Sequence, residues 1–483
     1  MVETDPRKSP EYKTGGWRAH YVLIVCTLLY VVNYMDRQVF AVILQPMKLD
    51  LGLTDAQCGL ASTVLILGMA FFSFPISYLI DRWSRRKAIG VMAILWSAFT
   101  FATGLARSFT GVIIPRAFVG LGEAGFVPGG TAMISASYSK ETRGRAMGIF
   151  HIAIPLGAAA GVILGGIISV RLGWRTPFLF FAIPGVILGI MAFFMKDYRT
   201  VEDSGTAGGI GGFFTALVSV LRLRTMRWYY LGLGIAVFMT SSVLIWLPSL
   251  MMRVMHISEA RAGLILGGIG LAAIIGSPLG GFLADYWQKK NPRGRMYIPA
   301  VAYISGGVLL VAVILTKFSP LGIALAVIYG IAAAMAMPAI AAISQDVVPV
   351  AHKGLSMGLA VFAQYMLGGA WGPYVVGAVS DALGGGAEGL SIAVMLCGAC
   401  GLMAGVLFLV AARTYPQDLQ KVKDEAILPS RNRPAMRVKK PGWIKDKKQK
   451  RSNQLSTAGK LEKIIEQVQS WTMKQCSRML WPY

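Results

Sequence analysis

Four charged residues lie inside the long apolar runs of this sequence, where charge is otherwise nearly absent. Asp36 and Arg37 are adjacent near the end of the first run, and Arg116 and Glu123 lie in a later one. A charge at the centre of a lipid bilayer costs roughly 3 kcal/mol on insertion scales. Residues kept at this cost usually face a water-filled cavity or an opposite charge. These four are therefore the first candidates for function.

The spacing of the later pair predicts which partners it needs. Seven residues of α-helix place Arg116 and Glu123 on one face, about 10 Å apart along the axis. They are too far apart for direct contact, and Asp36 and Arg37 are the available partners. A cross-helix network of two acids and two bases is neutral, and its carboxylates can change protonation when the helices rearrange. The alternative is a static network that only fixes helix packing.

The composition predicts an all-α polytopic membrane protein. The 483 residues are 55% hydrophobic and 14% charged, with a mean hydropathy of +0.58, whereas soluble domains carry about 25% charged residues. Apolar runs near 20 residues can cross about 30 Å of hydrocarbon as helices. They predict twelve spans, at about 20–46, 56–80, 88–106, 110–138, 144–170, 175–195, 228–252, 260–286, 296–316, 320–347, 354–381 and 389–412.

The positive charges predict the topology. The predicted loops on one side, with the N-terminus, hold 21 Lys and Arg, and the loops on the other side hold seven. Because positive loops stay in the cytoplasm, both termini are expected there, in the cytoplasmic (inner or plasma) membrane. The net charge of +24 is thereby explained by topology and a basic C-terminal stretch, and nucleic acid is not expected as a partner.

An internal repeat predicts two six-helix halves. RGRAMG at 143–148 matches KGLSMG 210 residues later, and SYLIDRWSRR at 77–86 resembles GFLADYWQKK at 281–290. Halves related by an axis along the membrane normal are a transporter plan. The expected divisions are an N-terminal segment (1–19), a first half (20–196), a cytoplasmic linker (197–226), a second half (227–413) and a basic cytoplasmic tail (414–483).

A charged cluster closes the second span and predicts a conformational latch. An acid at a helix end can accept hydrogen bonds from a neighbouring helix and pair with a base, so the cluster can hold one conformation and release in another. The alternative for its basic residues is topology alone. The cluster and its echo in the second half consist of Asp81, Arg82, Arg85, Arg86 and Asp285.

Small residues recur every four positions in the fifth span, at Gly157, Gly161 and Gly165. Such a stripe lets helix backbones approach closely. We expect the fifth span to pack along the eighth, which has its own stripe at Gly276 and Gly280. The stripe forms either a rocking surface between the halves or ordinary tight packing.

The second half carries almost no charge within its spans, and its candidates are aromatic and amide side chains. They are expected either to line an amphipathic site or to pack in the core or against lipid. His151, in the fifth span, is expected to relay a proton or simply to line a cavity. The second-half candidates named for substrate contact are Trp246, Gln364, Tyr365 and Trp371.

The ordered set of these stretches resembles the spinster-type branch of the major facilitator superfamily. The resemblance rests on pieces such as NYMDR at 33–37, RAFVGLGEAGF at 116–126 and GPYVVGAVSDAL at 372–383, and on SYLIDRWSRR, in which Ser77 and Ser84 replace two signature glycines. It implies the major facilitator fold, alternating access, and proton-linked transport of lysophospholipids or sphingoid lipids. By the family pattern, Asp36, Arg37, Arg116 and Glu123 match the cavity charges.

These observations together predict a secondary active transporter of an amphiphilic lipid or organic anion. Asp36 and Glu123 are the proposed proton-coupling residues, and Arg37, Arg116 and Asn33 the gating or substrate-binding ones. Uptake of a small organic acid, as in the anion:cation symporters that share the EAG element, is the alternative, and a transport-incompetent sensor or scaffold is a remote one. No metal-ligand cluster or nucleophile set is visible, so no enzyme, metal or cofactor is expected. The protein is expected to act as a monomer among membrane lipids.

Overall fold

A computed structural model of the chain describes residues 15–197, 209–349 and 352–427. The described residues fold almost entirely into helices. Their bounds are α1 Gly16–Leu51, α2 Asp55–Arg82, α3 Arg85–Gly104, α4 Phe109–Glu123, α5 Phe126–Ser137, α6 Lys140–Leu172, α7 Thr176–Ala192, α8 Gly209–Arg222, α9 Arg224–Met255, α10 Glu259–Lys290, α11 Gly294–Leu315, α12 Pro320–Asp346, α13 Lys353–Phe362, a π-helical segment Ala363–Gly369, α14 Trp371–Ala382 and α15 Gly386–Ile427.

The predicted spans coincide with helices of this fold. Within the described part of the chain, ten candidate spans are long and apolar enough to cross a membrane, with α4 and α5 counted together as one of them. The shorter apolar α7 is the predicted sixth span, and α13, the π-helical segment and α14 together cover the predicted eleventh. The all-helical membrane fold is thus confirmed, and the arrangement is consistent with twelve spans.

Local chemistry sets the ends of these helices. Ser108 and Ser319 precede α4 and α12, and each side chain accepts a hydrogen bond from the backbone N–H three residues later, at Gly111 and Gly322. These caps satisfy donors that have no partner inside the helix. Gly52 ends α1 in the left-handed conformation, at φ 62°, which a glycine adopts without steric cost. The turn that it makes leads directly into α2.

The helices before and after α8 pack mainly within two groups. In the first, α1 packs on α6 and α7, and α4 packs on α2 and α3; in the second, α12 packs on α10 and α11. α8 lies in the predicted linker and contacts α9 and α13. The residue boundaries proposed for the halves, linker and tail stay predictions, and residues 428–483 of the tail lie outside the described part of the chain.

The two groups meet at the end of the bundle that carries the α1–α2 loop, here called the loop end. There α2 packs on α14, α6 on α10 and α1 on α9. Backbones approach very closely, because a Cβ added at Gly59 would lie 2.2 Å from the carbonyl oxygen of Pro373. The loop end is therefore closed by backbone contact between the two groups.

The opposite end of the bundle, the terminal end, is more open at the same helices. A Cβ added at Gly144 or Gly148 of α6, or at Gly354 or Gly358 of α13, would meet nothing within 4 Å. Most side chains of α6 from Glu141 to Ile152 are exposed or half-buried, whereas those beyond Gly157 are more often buried. The described helices thus touch at the loop end and leave open space at the terminal end.

The glycine stripes serve different contacts from those expected. The fifth span, α6, does pack along the eighth, α10. However, Gly157 and Gly161 face the backbone of α1, and Gly276 and Gly280 face that of α12. The closest contacts between α6 and α10 are made instead by Gly166 and Gly263. Most of the stripe is therefore tight packing within each group, and the contact between groups lies nearer the loop end.

We expect Gly263→Ala to destabilise the closed loop end, because its Cβ would lie 2.3 Å from the carbonyl oxygen of Val162. Overpacking of this kind costs about 1–3 kcal/mol. Gly268→Ala on the same helix is the matched control, since nothing lies within 4 Å of that position and alanine favours a helix by roughly 0.5–1 kcal/mol. Thermal unfolding of the purified variants should show a lower Tm for the first only; equal Tm values would contradict the assignment of this contact.

Candidate functional site

Arg37 and Glu123 form an ion pair between α1 and α4. The Arg37 Nε lies 2.7 Å from Glu123 Oε2. The Glu123 side chain is fully buried, whereas 15% of the Arg37 side chain is exposed. The Arg37 guanidinium also lies 5.3 Å from the centre of the Tyr34 ring. One edge of the pair is thus accessible through the arginine.

The position of Glu123 depends on a break in the fourth span. Glu123 is the last residue of α4, and the chain restarts as α5 after Ala124 and Gly125. The carboxylate therefore lies near the C-terminal end of a helix, where the helix dipole disfavours negative charge. Arg37 offsets that unfavourable interaction, so breaking the pair leaves Glu123 in an environment poorly suited to a carboxylate.

Asp36 is buried among unpaired polar groups. Thr100 Oγ1 donates to Asp36 Oδ2 at 3.1 Å, and Asp36 Oδ1 has no hydrogen-bond partner among the described residues. Asn33, one turn earlier, is fully buried, and neither its Oδ1 nor its Nδ2 has one. An unsatisfied buried polar group costs about 1–3 kcal/mol. This face of α1 is therefore unfavourable for stability, which makes it a candidate for function.

Arg116 is held apart from both acids. Its Nε donates to the carbonyl oxygen of Ala61 on α2 at 2.8 Å, and its guanidinium lies 3.7 Å from the centre of the Phe40 ring. Only 4% of the residue is exposed. The four charges therefore do not form one hydrogen-bonded network: the structure brings Arg37 and Glu123 together and gives Asp36 and Arg116 other partners.

The second-half candidates divide into packed and exposed residues. Trp246 is fully buried and donates from Nε1 to the carbonyl oxygen of Pro373 at 2.9 Å, so it packs between α9 and α14 and does not line an accessible surface. Trp371 is 45% exposed. Gln364 and Tyr365 are half-buried in the π-helical segment, an irregularity that is frequent at functional sites.

His151 lies on the open face of α6. It is exposed, and its ring lies 6.4 Å from that of Tyr30, which in turn stacks on Phe150 at 4.6 Å. No ion pair of His151 is found among the described residues. It borders an aromatic group on the terminal-end side of the bundle, and its predicted role in proton relay or substrate contact remains a prediction.

Two of the predicted latch residues, Arg86 and Asp285, make contacts within their own groups of helices. Arg86 donates from Nη1 to the carbonyl oxygen of Met195 at 3.3 Å. Asp285 accepts from Arg295 at 2.6 Å, and Arg295 also pairs with Asp346 at 2.6 Å. The side chains of Asp81 and Arg82 lie outside the described residues, and Arg85 begins α3. A latch between the halves at this end stays a prediction.

A second charged cluster, which the sequence reasoning missed, joins the halves at the loop end. Asp55 is fully buried. Its carboxylate accepts hydrogen bonds from Nη2 and Nη1 of Arg253, at 2.6 and 2.9 Å. It also accepts from Lys48 Nζ at 2.5 Å and from Ser380 Oγ at 2.7 Å. Asp381 accepts the backbone N–H groups of Asp55 and Ala56, at 3.0 and 2.7 Å. We call Lys48, Asp55, Arg253, Ser380 and Asp381 the loop-end clamp.

The loop-end clamp connects the helices that make the closed contact. Asp55 begins α2, Arg253 lies near the end of α9, and Asp381 lies near the end of α14. Asp381 also caps the N-terminus of α2, where a carboxylate is favoured by the helix dipole. Two features of the sequence could have indicated the clamp: the AVSDAL stretch at 378–383 and the acid at the start of α2. Arg253 and Lys48 count in the sequence only as loop charges.

The family model described as Major Facilitator Superfamily matches residues 26–373. Among curated proteins, the chain is 25% identical over 474 residues to Protein spinster homolog 1 of Xenopus tropicalis, covering 90% of this chain and 89% of that protein. It is 24% identical over 452 residues to the Sphingosine-1-phosphate transporter SPNS2 of the same organism, covering 87% of each.

The fold has a solved counterpart. A crystal structure described as a bacterial homolog to the human lysosomal transporter Spinster, in an inward-facing and unoccupied conformation, superimposes with a TM-score of 0.75. The two chains are 23% identical, and the match covers 85% of this chain and 99% of the other. At this identity the likeness concerns the fold, which is the one that the family resemblance implied.

Proposed function

Because the chain belongs to the major facilitator superfamily and resembles its spinster-type members, we propose that it is a proton-coupled secondary transporter of an amphiphilic lipid-like anion. The relatives are transporters of this superfamily and not enzymes. The proposal rests on one observation above all: the Arg37–Glu123 pair, in which the base is partly exposed and the acid is buried.

The pair suits the joint binding of an anion and a proton. An anionic group that reaches the exposed edge of Arg37 competes with Glu123 for the guanidinium, which binds carboxylate or phosphate with two parallel hydrogen bonds. Glu123, once released, is a buried carboxylate without its base, and taking up a proton removes the cost of that charge. Departure of the substrate restores the pair and releases the proton. Binding and protonation are thereby linked at one site.

Asp36 is the second proposed proton carrier. It lies next to Arg37 in the chain, is buried, and accepts a hydrogen bond from Thr100. One of its oxygens and both polar atoms of Asn33 have no partner among the described residues. We propose that rearrangement of α1 against α3 changes the partners of this group during the cycle. Arg116 is proposed to keep α4 in register with α1 and α2 while this occurs.

Alternating access is proposed to follow from the two ends of the bundle. The loop end is closed by the loop-end clamp and by the backbone contact at Gly59, while the helices leave open space at the terminal end. If the loop end opened while the terminal end closed, the Arg37–Glu123 pair would be exposed to one side of the membrane and then to the other. By the charge of the loops, the open end faces the cytoplasm.

The accessible aromatic residues of the second group, here called the aromatic wall, support an amphiphilic substrate. Trp371 and Tyr374 of α14 are 45% and 37% exposed, and Tyr365 is half-buried just before them. Aromatic rings accept apolar chains, while their polar edges tolerate a head group. SPNS2 is named for sphingosine-1-phosphate, which is such a molecule. We therefore propose a single-chain lipid with an anionic head group as the substrate class.

Small organic acids are the second candidate class. The exposed edge of Arg37 would hold a carboxylate of any size, and it is the feature of the site that argues for a negative charge. The two classes differ in what the aromatic wall contributes to binding. A long apolar chain would bury the wall, and a small acid would not. Affinity that rises with chain length would support the lipid, since each buried methylene contributes about 0.8 kcal/mol.

Transport by purified protein in liposomes tests the proposal. The wild-type protein should move a lysophospholipid or a sphingoid phosphate against its gradient when a pH gradient is imposed, and a protonophore should collapse that movement. A short-chain organic acid of equal charge serves as the comparison substrate. If every tested anion moved equally well with and without the protonophore, proton coupling would be contradicted.

A further inference from the structure

We propose that a cavity at the terminal end of the first group of helices binds the phosphate head group of an anionic membrane lipid. The cavity has a volume of about 690 Å³ and lies between the start of α1, the start of α3 and the segment after α7. It is separate from the Arg37–Glu123 pair, and the proposal does not depend on the transported substrate. The lining residues that carry the argument are Trp17, Arg18, Arg86, Phe194, Lys196 and Asp197.

The lining of this cavity, here called the head-group cavity, favours an anion. Three of its residues are cationic, and Asp197 is its one acid; that carboxylate accepts a hydrogen bond from Ser84. Arg18 makes no hydrogen bond or ion pair with the residues that the structure describes. Arg86 makes one long bond, at 3.3 Å, to a backbone carbonyl, and its buried Nε has no partner there. Two guanidinium groups therefore keep donors that a phosphate can use.

The surroundings favour a lipid over a soluble phosphate. Trp17 and Phe194 are 75% and 74% exposed, and an exposed tryptophan at the end of a span marks the level of the lipid head groups. An exposed apolar stripe on α7 leads away from the cavity, formed by Ile183, Ile187 and Ile190 at helical spacing before Phe194. A phosphate held in the cavity would place its acyl chain along this stripe.

The corresponding place in the second group differs. A cavity of about 350 Å³ lies between the start of α9 and α15, with Arg222, Arg224 and Lys421 among its lining residues. Its acid, Asp418, is bound by Lys421 at 3.2 Å and by the Thr225 hydroxyl at 2.8 Å. The smaller volume makes it a poorer site. It supplies a control with the same charge at the same end of the helices.

Titration of a fluorescent phosphatidylglycerol into the purified full-length protein in neutral detergent tests the proposal. Arg18→Gln with Arg86→Gln should weaken binding roughly fivefold for each cation removed, the usual contribution of a basic residue near anionic lipid. Arg222→Gln with Arg224→Gln, the matched control, should change the affinity less than about twofold. If the double variant does not fold, Arg18→Gln alone replaces it in the test and should weaken binding roughly fivefold.

Two further arms separate the sources of the phosphate. Unlabelled phosphatidylglycerol should displace the probe, whereas phosphatidylcholine and inorganic phosphate at about a hundredfold excess should not. Equal losses in the two double variants would overturn the proposal, because binding would then depend on overall charge. Displacement by inorganic phosphate as strong as that by phosphatidylglycerol would also overturn it, because the site would then not select a lipid.

Discussion

Glu123→Gln is expected to abolish accumulation driven by a pH gradient while leaving exchange of substrate across the liposome membrane largely intact. Glutamine keeps the shape of Glu123 and an oxygen that can accept from Arg37, whose Nε lies 2.7 Å away in the native pair. It cannot take up or release a proton. Under the proposed cycle the anion still competes for Arg37, but its binding no longer carries a proton. Accumulation should fall to the level seen with the gradient collapsed.

The matched control for this experiment is Glu388→Gln. Glu388 is an exposed acid in the first turn of α15, so its replacement removes one carboxylate without touching the pair. Asp36→Asn tests the second proposed carrier in the same assay. Full retention of coupled accumulation in both Glu123→Gln and Asp36→Asn would show that protons do not pass through these carboxylates. Loss of exchange as well as accumulation in Glu123→Gln would point to a packing role.

Asp55→Asn is expected to open the loop end. The native carboxylate is fully buried and accepts from two cations and a hydroxyl; asparagine removes the charge and turns one acceptor into a donor facing Arg253 and Lys48. Removing one partner of a buried pair costs about 3–5 kcal/mol. The clamp bridges the halves only while this end is closed, so the loss falls on the closed state. The ratio of closed to open molecules should drop roughly a hundredfold to several thousandfold.

Distances between spin labels can measure this change. Arg107, in the loop after α3, and Lys317, in the loop after α11, are both exposed at the loop end and belong to different groups of helices. Labels at these positions, on a background without Cys400 and Cys476, should report a longer distance in the Asp55→Asn protein.

Asp50→Asn supplies the matched control for the clamp. Asp50 pairs with Arg175 at 2.8 Å within the first group, and the two side chains are 46% and 35% exposed. An exposed pair contributes at most about 1 kcal/mol, and this one does not bridge the halves. Its loss should leave the label distance unchanged. An identical distance distribution in the wild type and Asp55→Asn would mean that the clamp does not hold the end closed.

The sequence predicted the fold well because span length and hydrophobicity are local properties. Each predicted span coincides with one helix or with consecutive helical segments. The two halves predicted from the repeat of RGRAMG as KGLSMG are consistent with the two groups of helices. The break between α4 and α5 was missed, because the apolar run continues across it and hydrophobicity alone does not show that α4 ends at Glu123. The packing of the fifth span on the eighth was expected, but the glycines responsible were different ones.

The site was harder to predict, because its contacts join residues far apart in the chain. The two buried acids and two buried bases were expected to form one network. Instead, Arg116 binds the carbonyl oxygen of Ala61 and the ring of Phe40. Neither partner is charged, so matching acids with bases could not predict them. The role of Trp246 in the core depends on where its indole points. Asp55 and Asp381 lie 326 residues apart, and no local pattern relates them.

The uneven distribution of charge between the halves has an evolutionary consequence. Asp36, Arg37, Arg116 and Glu123 all belong to α1 and α4, while α13 and α14 contribute aromatic and amide groups. Under the proposed cycle, proton coupling and binding of the anionic group are encoded in the first stretch of the gene, and recognition of the rest of the cargo in the later one. Descendants can acquire a new cargo through changes in the later stretch alone, and relatives that share the coupling residues need not share a cargo.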